Sequence, residues 1–117
     1  MTESHSKYYQ AMVDGKTFSV AWEFAPGRGA VGSDQEQLIA SAEQAAKGAK
    51  IHAITITDNA GGNPAISAEM LAVEVNRLGI EPLVHLTGKG KNRNQIEALL
   101  YGLERASVHN LLVLTGD

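Results

Sequence analysis

Four short apolar runs recur along this chain at intervals of roughly 30 residues, the length of one strand plus one crossover helix, and this period constrains the fold more than any other feature. The runs are Phe18 to Trp22, Ile51 to Ile56, Pro82 to Val84 and Leu111 to Leu114. Each hands over to polar residues: Glu23 after the first, Thr57-Asp58-Asn59 after the second, His85 and then Thr87 after the third, and Thr115-Gly116-Asp117 after the fourth. Crossovers between strands of one sheet make neighbouring strands parallel, and an unbroken apolar run such as Leu111 to Leu114 implies a strand buried beneath helices. Parallel α/β proteins bind ligands at the carboxyl ends of their strands, which places Glu23, Thr57, Asp58, His85 and Asp117 on one face.

The segments between the runs read as helices. Ser33-Asp34-Gln35-Glu36 has the form of a capping box, followed by Leu38, Ile39, Ala42, Ala45, Ala46 and Ala49 at helical spacing. Pro64 is available for the first turn of a second helix whose apolar set is Ile66, Met70, Leu71, Val73 and Leu78, with Gly79 as terminator. Asn92 or Asn94 can cap a third, carrying Ile96, Leu99, Leu100 and Leu103 on one stripe. Ser6 to Val13 fits either a short helix or a hairpin strand turning at Asp14-Gly15, and the helix is the preferred reading. Residues 1–17 are thus a lead-in, and residues 18–117 hold four strands and three complete helices, half of an eight-stranded (β/α)8 TIM barrel. A doubly wound α/β sheet is the competing fold, but the turn Phe24-Ala25-Pro26-Gly27-Arg28-Gly29 has too few glycines for a dinucleotide fingerprint.

Composition narrows the function classes. A formal charge of −3 gives no general pull toward nucleic acid or an anionic membrane, and no apolar run approaches the roughly 20 residues that span a bilayer. Without a leader-like apolar segment, the expected location is cytoplasmic. There is no cysteine, which removes thiolate chemistry and disulfides. His5, His52, His85 and His109 lie far apart and lack partners at ligand spacing, so no metal is expected. Gly88-Lys89-Gly90-Lys91-Asn92-Arg93 could form an anion site before a helix, although a solvated loop is the preferred reading.

The tracts Ser19 to Pro26, Ile54 to Ala60, Val84 to Thr87 and Leu112 to Asp117 together resemble, in order and spacing, the first four strands of the methylenetetrahydrofolate reductase family. Lys91-Asn92-Arg93-Asn94, and Thr115 where many members have arginine, are similar to the branch related to bifunctional homocysteine S-methyltransferase/reductases. Ala25-Pro26 departs from the paired prolines common in the family. The resemblance implies an FAD-containing barrel that reduces 5,10-methylenetetrahydrofolate to 5-methyltetrahydrofolate, with electrons from a reduced nicotinamide or another donor. By the same resemblance Glu23 is the acid that assists proton transfer to the folate, a role served by a partly desolvated carboxyl whose pKa is raised. Asp117 is matched to the carboxylate near flavin and pterin; Thr57, Asp58, Ala60, His85, Thr115 and Gly116 are matched to flavin-contacting positions. Since the family's strands five to eight carry much of both pockets, the 117 residues alone are expected to be inactive and to bind flavin poorly.

Each of these residues also has an ordinary structural role open to it. Glu23 could pair with Arg28, His85 could bond a strand-end carbonyl, and the threonines could cap turns. Asp58-Asn59-Ala60-Gly61-Gly62 could be turn chemistry alone. Two other function classes stay open: a folate-dependent methyltransferase barrel without flavin, and a half-barrel that self-associates through its unpaired sheet edges.

Overall fold

A computed structural model describes residues 6–115. Strands β1 (Ala21–Phe24), β2 (Ala53–Ile56), β3 (Glu81–Thr87) and β4 (Asn110–Leu114) form one sheet in the order β1-β2-β3-β4, and every neighbouring pair is parallel. Helix α1 (Lys7–Asp14) precedes β1, and α2 (Ser33–Gly48), α3 (Ala68–Arg77) and α4 (Arg93–Arg105) connect successive strands. This is an alternating βα architecture, consistent with part of a TIM barrel.

The strand boundaries differ from those read off the apolar runs. Phe18 lies outside β1 and is 89% exposed, while Glu23, His85 and Thr87 stand within strands rather than beyond them. Side chains alternate across a pleated strand, so these shifts decide which face each residue occupies. Phe24, Ile56, Val84 and Leu111 are register partners on one face and join the core formed with α2 and α3. Glu23, Thr55 and Leu83 are partners on the other, with His85 and Thr87 following at alternate positions.

Against the helix-covered face, α2 buries Leu38, Ala42 and Ala45, and α3 buries Ala68, Leu71, Ala72 and Val75. The alanines let the helices lie close to the β-branched residues of β2 and β3. Two expectations for these helices need correction. The cap of α2 is displaced by one residue: Gly32 is the N-cap, and Gln35, not Glu36, returns its side chain to accept from Gly32 N–H. Gln35 can do so because it is buried, its Nε2 also donating to Pro26 O and so anchoring the loop after β1. Gly27 in that loop has φ +75°, so any side chain there would strain the backbone and displace the carboxylate of Asp34. Pro64 stands before α3, whose N-cap is Ser67, and Met70 is 64% exposed because the buried stripe runs through Ala68, Leu71, Ala72 and Val75 instead.

α4 starts at Asn92, which accepts from Gln95 N–H while Gln95 Oε1 accepts from Asn92 N–H. Of its stripe only Leu103 is fully buried. β4 likewise overturns the expectation of a buried strand: Leu112, Val113 and Leu114 are exposed, since β4 is an edge of the sheet. At the base, Glu81 holds the start of α1, its carboxylate accepting from Ser6 Oγ at 2.8 Å and from the backbone N–H groups of Lys7 and Tyr8 at 2.6 and 3.0 Å. α1 ends at Asp14, whose carboxyl is held below its usual pKa by the backbone N–H groups of Lys16 and Thr17.

Leu38 has no exposed surface and sits where α2 meets the sheet. Leu38→Ala is expected to lower unfolding free energy by about 3 kcal/mol, read as a shifted urea midpoint at constant m-value.

Candidate active site

The polar face of the sheet opens at the carboxyl ends of the strands into a cleft of about 320 Å³. Glu23, Thr57, Asp58, Ala60, His85 and Thr115, all singled out in the sequence, line it together with Thr87 and Leu114. Gly116 and Asp117 lie outside the described residues.

His85 forms the floor and is only 6% exposed. Its Nε2 is 3.2 Å from Thr55 Oγ1 and 3.9 Å from Glu23 Oε1. The pair that forms is therefore Glu23 with His85, not Glu23 with Arg28. Register explains it: Glu23 and Thr55 are partners across β1 and β2, and His85 is two residues beyond Leu83, the partner of Thr55 on β3. The Glu23 side chain is 66% exposed, so residues 6–115 do not supply the desolvation expected around the acid.

Thr57 follows β2 directly. Its N–H continues the ladder by donating to Phe24 O at 3.1 Å, which fixes the residue in place. Its Oγ1, by contrast, is buried without a hydrogen-bond partner among the described residues. A buried hydroxyl left in this state is destabilising, and a ligand in the cleft would offer it a partner.

Asp58 has a different occupation. Its Oδ2 accepts from Lys91 Nζ at 2.6 Å and from Thr87 N–H at 2.9 Å, while Lys91 Nζ also donates to Thr87 O at 3.0 Å. The carboxylate and ammonium side chains are 11% and 20% exposed. This clasp ties the end of β2 to the end of β3; residues 88–93 are otherwise exposed, as expected of a solvated loop, and Lys91 alone is folded inward onto Asp58. Beyond Asp58 the chain makes a single 3-10 turn at Ala60–Gly62, with Asn59, Gly61 and Gly62 at positive φ. Asn59 stabilises its own left-handed conformation by accepting from Ala65 N–H at 2.9 Å.

Thr55 and Lys91 were not among the candidate site residues from sequence. Thr55 interrupts Ile54 and Ile56 at the alternate position, a sign that it faces away from the helices. Nothing in the spacing of Lys91 announces Asp58 as its partner. A second cleft, of about 350 Å³, lies at the opposite end of the sheet around Ser6, Glu81 and Asn110. Ser6 Oγ and Asn110 Nδ2 both donate to Glu81 there, making it the seat of α1. Among the described residues, no group of three or more His, Asp or Glu is placed to hold a metal ion, and no helix is long and apolar enough to cross a membrane.

The ordered strand ends and their cleft agree with a comparison against protein families, in which the model for methylenetetrahydrofolate reductase matches residues 8–117. The chain belongs to the methylenetetrahydrofolate reductase family. A search of curated proteins finds no match. Membership places the four parallel strands within a TIM-barrel family and connects the chain to folate one-carbon metabolism and reductase-like chemistry.

Removing one partner of the clasp leaves the other charge partly buried. Lys91→Met is expected to cost about 2 kcal/mol, below the usual penalty for a fully buried pair because some solvent reaches both groups. Adding Asp58→Asn should recover part of that loss in a double-mutant cycle followed by urea unfolding.

Proposed function

We propose that the complete protein carries out flavin-dependent reduction of 5,10-methylenetetrahydrofolate to 5-methyltetrahydrofolate, and that the cleft at the strand ends is half of its active site. The observation that carries this reading is the convergence of Glu23, Thr57, Ala60 and His85 on one cleft in a chain of this family, with Thr57 Oγ1 buried there and unpartnered among the described residues.

The residues present fit FAD. Thr57 offers a hydroxyl that has no partner among the described residues, and Ala60, Gly61 and Gly62 keep side chains small where a planar ring would approach. Thr57, Ala60, His85 and Thr115 would hold the cofactor, with Asp58 shaping that wall through Thr87 and Lys91. When bound, FAD supplies hydride transfer, drawing electrons from a reduced nicotinamide or another donor and passing them to the one-carbon unit.

Glu23 is assigned the proton. Opening the methylene bridge leaves a folate nitrogen that must be protonated, and a carboxyl at the rim of the cleft can reach it. Folate binding and the rest of the barrel would supply the desolvation that Glu23 lacks here. Asp117, by resemblance, would accept hydrogen bonds from the pterin, and Gly116 would lead the backbone past the flavin.

The 117 residues by themselves are proposed to bind flavin weakly and to associate through β1 and β4. Trp22, Leu112, Val113 and Leu114 are exposed along those edges, and unpaired strands seek pairing. Light scattering should show association, and a stable monomer would count against it.

The decisive experiment uses the full-length protein. Purified protein should show a flavin absorbance band and reduce 5,10-methylenetetrahydrofolate; a colourless protein that transfers a methyl group from methylated folate would replace this reading with the methyltransferase one. Glu23→Gln should slow folate reduction by at least about 100-fold while sparing flavin reduction by the donor. Thr57→Val should leave unfolding free energy within about 0.5 kcal/mol of wild type, because its hydroxyl bonds none of the described residues, yet weaken flavin binding about fivefold by titration.

A further inference from the structure

One contact on the cleft floor is not used by the roles given so far. His85 Nε2 faces a hydroxyl at 3.2 Å and a carboxylate oxygen at 3.9 Å. His85 and Thr55 are each 6% exposed, so packing fixes the ring and the hydroxyl, whereas the Glu23 side chain is 66% exposed and free to turn. The three partners differ in what they can do. A carboxylate only accepts, an imidazolium only donates, and a threonine hydroxyl does either by rotating its proton. Thr55 is thus suited to the ring in both of its protonation states.

We propose that Thr55 and His85 are positioning residues for Glu23: Thr55 holds the ring with Nε2 toward the carboxylate, and His85 passes its Nε2 proton to Glu23, which delivers it to the folate nitrogen. In that transfer the Nε2–H bond breaks and an O–H bond forms on Glu23. The imidazolium becomes neutral imidazole, keeping its proton on Nδ1, and the carboxylate becomes the carboxylic acid. The vacated Nε2 then accepts from the Thr55 hydroxyl until one proton from bulk solvent, relayed by water entering the open cleft, restores the imidazolium. The 3.9 Å separation closes by rotation of Glu23, the exposed member, with no movement of the buried pair. This inference rests on the reductase reading, and it adds to that reading the source of the proton.

The test uses full-length, flavin-loaded protein, chemically reduced and then reoxidised by 5,10-methylenetetrahydrofolate or, as a control that does not need Glu23, by menadione. Thr55→Val is expected to slow folate-driven reoxidation about tenfold and to change the menadione rate by less than about twofold, with Thr55→Ser restoring the folate rate. His85→Gln should be at least as slow as Thr55→Val, and the double variant no slower than His85→Gln, because the two residues act in series. Thr55→Val should also move the imidazole 15N signals of His85. An unchanged folate rate, equal slowing with both oxidants, additive losses in the double variant, or unmoved imidazole signals would each overturn the relay. If wild-type protein is not reoxidised by the folate at all, the reductase reading itself fails, a result distinct from a working wild type whose Thr55→Val variant behaves normally.

Discussion

Parallel pairing is the constraint from which the rest of this structure follows. Each strand must be re-entered from the same end, so each connection crosses the sheet, and α2 and α3 pack their apolar stripes against one face. That keeps these crossover helices off the opposite face, where only α1 approaches among the described helices, near Leu83 and Leu112, and sends all the strand ends in one direction. Residues distant in sequence then meet: Glu23, Thr55 and His85 come from three strands, yet the register places them within a few ångströms. The helix-covered face provides cohesion through Leu38, Ile54, Ile56, Val75 and Val84, and the open face is spared for polar groups that a closed core would reject.

Much of this was legible in the sequence because period and punctuation are local properties. The spacing of the apolar runs gave the parallel βα order, and the polar residues at their ends gave six of the eight described residues that line the cleft: Glu23, Thr57, Asp58, His85, Thr87 and Thr115. What could not be read locally was the register by a residue or two. The apolar runs end before Glu23 and His85, yet both residues stand inside their strands, on the same face as Thr55. Exposure of Leu112, Val113 and Leu114 was equally hidden, since an apolar run carries no mark of whether a neighbouring strand covers it. The Asp58–Lys91 clasp depends on tertiary proximity between residues 33 positions apart, which no motif encodes.

The cleft divides its polar groups between those already committed and those still available. Asp58 is committed, with Lys91 and Thr87 as partners. Thr57 Oγ1 is buried and unpartnered among the described residues, and Glu23 is exposed. A committed carboxylate makes the wall rigid, so Thr57 beside it can meet a ligand without first reorganising, while exposed Glu23 is free to turn. Resemblance alone assigned Asp58 and Thr57 the same task; their hydrogen bonds separate them.

The seat of α1 at the other end of the sheet bears on the order in which the molecule assembles. Ser6 reaches Glu81 and Asn110 across 75 and 104 positions of chain, and so the loop that joins them encloses nearly every other element. Closing a loop of that length has little to reward it until β3 and β4 already lie side by side. The N-terminal helix is therefore a late arrival, a latch on a sheet built without it. Its loosening would be felt first at the base of the strands, far from the cleft where the chemistry is placed.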